Sequence, residues 1–225
     1  MNQVERGPDG GPIYTETNLD NFIAEPFNAI TAVVFLGIAL FWMWRLRGSY
    51  RHYLFLAVSA PVLAIGGIGG TLYHAFRVSP AALLMDWLPI AILCVAASIY
   101  FLLKLVDKWY WGLLYFLGFF GLIFLNYTLV PPSYAINTGY AMNGLMILIP
   151  LVGFLIKTHW KHARWVALAL AAFALAIASR SLDKAELLPI GTHFLWHTFG
   201  AIACHAMFTF LFYAEKPESQ QPEKA

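Results

Sequence analysis

Seven stretches of about 20 mostly apolar residues, each long enough to cross a bilayer as a helix, leave this chain little choice of fold. They run over 26–47, 53–76, 81–104, 109–129, 135–157, 163–181 and 191–214. In hydrocarbon the backbone has no water to bond to, so a run of this kind must satisfy its own N–H and C=O groups as a helix. Pro61, Pro89 and Pro150 fall inside the runs, which packed membrane helices tolerate through contacts with their neighbours. The turns are short and no soluble domain is inserted. Only 12% of the 225 residues are charged and 60% are hydrophobic, whereas soluble domains carry about 25% charged residues. The sequence therefore predicts an all-α integral membrane bundle of seven transmembrane helices over 26–214. A polar segment, 1–25, precedes it, and a charged, Pro-rich tail, 215–225, is expected to be disordered. The first 25 residues lack the apolar core and cleavage site of a signal peptide. The net charge of +2 gives no reason to expect a nucleic-acid partner. Cys94 and Cys204 lie within apolar runs and read as buried thiols, not as a disulfide framework.

Orientation follows from the basic residues, which favour the cytoplasmic side. One side of the bundle would hold Arg6, Arg77, Arg180 and Lys184; the other would hold Arg45, Arg47, Arg51, Lys104, Lys108, Lys157, Lys161, Arg164, Lys216 and Lys224. Four against ten places the N-terminus outside and the C-terminus in the cytoplasm, as expected for a bacterial inner-membrane protein.

Four ionisable residues interrupt the helices. His74 ends the second in "GGIGGTLYHAF", Asp86 lies in the first turns of the third in "LLMDWLPI", and His193 and His197 open the seventh in "GTHFLWH". In the predicted orientation all four sit at similar depth in the outer part of the membrane, although none was used to set it. An Asp at a helix centre costs about 2.5–3.5 kcal/mol on insertion, and such residues usually face the bundle interior and serve a function. Residues four apart are separated by one turn plus about 40°, so both imidazoles of the seventh helix can reach one ion. Three neutral histidines and a neighbouring carboxylate suggest a zinc site with His74, His193 and His197 as ligands and a fourth position open to water. Other polar residues read as structural. His205 would be packed, His159 and His162 belong to a basic loop, Asn28 and Asn143 would hydrogen-bond between helices, and "KWYWGLLY" would form an interfacial aromatic belt.

The chain resembles a bacterial member of the alkaline ceramidase family, within the superfamily of seven-helix membrane hydrolases that includes the adiponectin receptors. The resemblance rests on "TETNLDNFIAEPFN", "GIGGTLYH", "LLMDWLP" and "HFLWH", in that order over the helices. It implies that His74, His193 and His197 bind zinc and that Asp86 is the carboxylate beside the metal's water. It also implies an N-terminal calcium site, for which Glu16, Asn18 and Glu25 match oxygen ligands. Ile13 stands where the family has an Asp, with Asp9 and Asp20 as nearby carboxylates. The family's serine one turn before the second-helix histidine is Gly70 here, with Thr71 beside it.

Zinc lowers the pKa of bound water from about 15.7 towards 7 and can stabilise an oxyanion. Asp86 would carry the proton to a leaving nitrogen. The activity this implies is hydrolysis of the N-acyl bond of ceramide or a related N-acyl lipid to a fatty acid and an amine. Two alternatives remain: a receptor-like protein with a structural zinc site, and a hydrolase of a different acyl lipid. A retinal photoreceptor is excluded because residues 191–214 contain no lysine for a Schiff base. A transporter would be expected to show repeats or helices broken near the midplane.

The orientation can be checked directly. A cysteine placed at position 10 should react with an impermeant reagent from outside and one at position 220 should not; the reverse pattern would turn the bundle over.

Overall fold

A computed structural model describes residues 6–185 and 187–215; the tail from 216 lies outside them. The chain forms seven long helices: α1 (Pro26–Arg45), α2 (Leu54–Phe76), α3 (Pro80–Leu103), α4 (Trp109–Leu129), α5 (Pro132–Lys157), α6 (Ala163–Ser181) and α7 (His193–Glu215). All seven have the length and hydropathy to cross a membrane. Among the described residues there is no strand, only an isolated bridge between Arg6 and Pro12. Proline opens α1, α3 and α5, where the first helical N–H would lack a partner in any case. This is why α5 starts three residues before the apolar run does. The outward faces carry large apolar side chains such as Leu40, Leu117, Phe124 and Leu175, as lipid-facing surfaces should.

The two ends of the bundle differ in chemistry. One is a dry apolar core around Leu46, Tyr53, Phe101, Leu155 and Leu211. The other is built from the last turn of α2, the first turns of α3 and α7, and the N-terminal segment, and it holds the buried charged groups Asp9, Glu25, Arg77 and Asp183. The N-terminal segment is tied to α2 by a backbone hydrogen bond from Ala24 N to Ala75 O of 2.8 Å.

Glycines bring α2 into backbone contact with both neighbours. A Cβ on Gly67 would lie 2.5 Å from the backbone nitrogen of Leu36 on α1, and one on Gly69 would lie 2.6 Å from the backbone carbonyl carbon of Met85 on α3. Such close approach is how helices associate where no hydrophobic effect drives them together.

Several side chains depart from the sequence reading. Asn28 does not bridge helices; its amide donates to Glu25 Oε2 at 3.1 Å, just ahead of its own helix. Asn143 faces an internal cavity. Asparagines that do bridge helices are Asn126, whose amide donates to Ala135 O on α5 at 2.9 Å, and Asn137, whose amide donates to Ser181 Oγ on α6 at 3.1 Å. His205 packs against Phe41 and Trp42, as expected, and Cys94 and Cys204 are free thiols.

The contact between α2 and α3 yields a stability prediction. Gly69→Val should push the helices apart and destabilise the fold by about 1–3 kcal/mol, seen as a lower unfolding temperature in detergent. An unchanged unfolding temperature would show that the helices do not meet at Gly69.

Candidate metal centre

The start of α7 is fixed from a distance. Asp183, in a 3₁₀ turn after α6, accepts hydrogen bonds through Oδ1 from Thr192 N at 2.8 Å and His193 N at 2.9 Å. A carboxylate at a helix N-terminus satisfies orphan N–H groups and complements the helix dipole. Asp183 Oδ2 also accepts from Thr15 N at 3.0 Å, and Thr15 Oγ1 donates to Asp183 O at 2.7 Å. One carboxylate thus places His193 and holds down the N-terminal segment.

His193 and His197 face His74 from the last turn of α2. One ring nitrogen of each lies within 4.8 Å of the other two. His74 Nε2 and His197 Nε2 are 3.0 Å apart. The three residues are 0%, 1% and 4% exposed, and His193 Nδ1 has no hydrogen-bond partner. A buried polar atom left unpaired costs about 1–3 kcal/mol. Tetrahedral coordination at 2.0–2.1 Å separates ligand nitrogens by about 3.3 Å. The spacing of the two Nε2 atoms is close to this, so the residues fit a metal ion.

Behind His74 lies a fully buried carboxylate. Glu25 Oε2 accepts from His74 Nδ1 at 2.5 Å and from Asn28 Nδ2 at 3.1 Å. Its Oε1 accepts from Thr17 Oγ1 at 2.6 Å and from Arg77 Nη1. A carboxylate on Nδ1 keeps the proton there and turns the Nε2 lone pair towards the cluster, the usual support for a metal-binding histidine. Arg77 follows α2 in the left-handed conformation, with φ 54°. Its Nε and Nη2 donate to Asp9 at 2.7 and 3.2 Å, Nη2 also donates to Pro12 O at 3.0 Å, and the guanidinium lies 4.6 Å from the Tyr73 ring centroid. Burial by itself would raise the Glu25 carboxyl, but His74 and Arg77 outweigh it and hold the group below its ordinary value. Burial likewise works against the Arg77 charge, and Asp9 and Glu25 reverse the effect. Pairing thus favours the charged forms of Glu25 and Arg77 despite their burial.

The three residues matched to calcium ligands have other partners here. Glu16 accepts from Phe27 N at 2.6 Å and Asn28 N at 2.9 Å, capping the start of α1. Burial pushes its carboxyl up against the effect of those two N–H groups. Asn18 Oδ1 accepts from Asp20 N at 3.1 Å in a local turn, and Glu25 supports His74. A calcium ion there would have to share these oxygens with the donors they already accept from.

Asp86 lies in the second turn of α3 and lines a cavity of about 230 Å³ together with His197, Tyr140 and Trp196. Its Oδ1 would be 2.6 Å from a Cβ on Gly70. Gly70 therefore gives the carboxylate room to close on α2, one turn before His74, and a side chain at that position would make the carboxylate shift. Thr71 does not supply the missing hydroxyl, because its Oγ1 donates back along α2 to Gly67 O at 2.7 Å.

Family models and curated proteins offer no match to this sequence. The site is therefore read from its own geometry.

Tyr14, Arg77, Arg180 and Asp183 escaped the sequence reading. Tyr14 stacks on His193 with ring centroids 3.6 Å apart and closes the cluster from the N-terminal side. Arg77 and Arg180 entered only as counts of positive charge, and Asp183 lies in a loop of ordinary polar composition.

Glu25→Gln keeps the shape of the side chain and removes its charge. It should weaken metal binding by about 10- to 100-fold, measured by competition with a chromogenic chelator. Unchanged affinity would remove Glu25 from the support of His74.

Proposed function

We propose that this chain is a zinc-dependent intramembrane lipid amidase of the alkaline ceramidase kind, hydrolysing the N-acyl bond of an acyl lipid. The observation that carries this reading is the convergence of three buried imidazoles, one backed by a carboxylate, beside a cavity holding a second carboxylate. A purely structural metal site would gain nothing from opening onto a cavity, nor from a carboxylate placed within it.

His74, His193 and His197 would hold the ion, with Glu25 fixing the tautomer of His74. A zinc ion bound there would supply Lewis acidity and a water of lowered pKa. Asp86 would take a proton from the attacking water and return it to the departing nitrogen, general acid–base work worth about 10²- to 10⁴-fold in rate. The apolar cavity walls, including Leu63, Leu93, Phe173 and Phe208, would hold an acyl chain and keep bulk water from the reacting amide. The glycine at position 70 lets Asp86 do this work without a neighbouring serine.

Two variants separate the roles. Purified protein should carry about one zinc per chain, and His193→Ala should lose it. Asp86→Asn should keep the zinc and cleave an N-acyl lipid at least about 100-fold more slowly. Full zinc occupancy in His193→Ala would overturn the metal assignment. Loss of zinc in Asp86→Asn would make Asp86 a ligand, and near-normal cleavage would take it out of the reaction.

A further inference from the structure

The bundle contains a second arginine at the same end, and its surroundings differ from those of Arg77. Arg77 is fully buried and meets two carboxylates and a carbonyl. Arg180, in the last turn of α6, is only partly buried. Its Nε donates to Asn137 Oδ1 at 3.1 Å and its Nη1 makes a long contact of 3.4 Å to the Tyr14 hydroxyl. Among the described residues the ion pairs are His74–Glu25, Arg77–Asp9 and Arg77–Glu25, so no carboxylate there lies within 4.0 Å of Arg180. A guanidinium has five N–H donors, and most of those on Arg180 have no acceptor among the described residues.

Three aromatic rings fix where those donors lie. The guanidinium carbon is 5.3 Å from the Tyr140 ring centroid, 5.4 Å from that of Trp196 and 5.7 Å from that of Tyr14. Tyr140 and Trp196 line the cavity that Asp86 and His197 share, and Tyr14 stacks on His193. Arg180 thus stands on the rim of the candidate site, held by rings on three elements. Charged side chains at membrane depth are normally paired, and a positioned guanidinium fork suits a carboxylate or phosphate better than any neutral group.

We propose that Arg180 anchors an anionic group on the amine side of the lipid substrate, so that the substrate class is an acidic N-acyl lipid and not neutral ceramide. This rests on the amidase reading given above. The head group would bring a carboxylate or phosphate to Arg180 at the rim, with the amide a few bonds further in, at the histidine cluster, and the acyl chain in the apolar cavity.

The test uses the full chain, loaded with zinc, in nanodiscs. The probes are N-palmitoylglycine, an N-palmitoyl phosphatidylethanolamine, neutral N-palmitoylethanolamine and palmitate. Binding is measured first, then cleavage. The native protein should bind at least one acidic amide about 10-fold or more tightly than the neutral one, as expected for a charge-assisted pair of hydrogen bonds. Arg180→Gln should abolish that preference and Arg180→Lys should keep part of it. Whichever acidic amide binds more tightly identifies the anion as carboxylate or phosphate. Equal binding of acidic and neutral amides by the native protein would overturn the proposal, and this comparison holds even if the variants fail to fold. Palmitate binding as tightly as the acidic amides, with the same dependence on Arg180, would also overturn it, because the arginine would then be reading the fatty acid. If both classes of amide are cleaved without discrimination, the anion site fails and the amidase stands. If the preference is present and neither amide is cleaved, the amidase fails and the anion site stands.

Discussion

The polar end of this bundle depends on the ion pair between Arg77 and Glu25. Neither charge could be left alone at that depth. Removing one partner of a buried pair costs about 3–5 kcal/mol, because the other charge stays behind without compensation. Here the pair is extended in both directions. Arg77 reaches out to Asp9 and fastens the N-terminal segment, while Glu25 reaches in to His74 Nδ1. A single guanidinium therefore links the closure of the bundle to the protonation pattern of a candidate ligand. It occupies the oxygen of Glu25 that faces away from the histidine.

The N-terminal segment is consequently part of the site. Thr15 bonds to Asp183, which caps the helix carrying His193 and His197. Tyr14 lies against His193, and Thr17 shares Glu25 with Arg77. The short segment from Tyr14 to Thr17 thus reaches His193 directly and His74 through Glu25. The apolar half of the molecule takes no part in this and serves as scaffold, with Gly67 and Gly69 drawing α1, α2 and α3 together so that their ends meet.

The same economy of space accounts for Gly70. In a bundle where α2 and α3 touch through their backbones, a side chain at that position and the carboxylate of Asp86 compete for one volume. The carboxylate has it. A hydroxyl would have to come from elsewhere, and Thr71 is turned to its own helix. In the proposed amidase, the acid–base work near the metal accordingly falls to Asp86 alone.

Seven spans were legible in the sequence because helix formation in hydrocarbon is a local requirement. Each stretch must satisfy its own backbone, and length and apolarity decide the matter residue by residue. The histidine cluster was legible for a related reason. Ionisable groups are so costly within a span that His74, Asp86, His193 and His197 stood out, and the alternation of helix direction brought them to one end. The partners of those groups were not legible. Glu25 lies 49 positions from His74, Asp183 caps a helix ten residues away, and Arg180 meets Tyr14 across 166 positions. Nothing in the local pattern of "AEPFN" or "IASRSLD" distinguishes a carboxylate that will support a ligand from one that will face water. That choice depends on which side chains can be buried together with their charges balanced, and it is settled only when the helices pack.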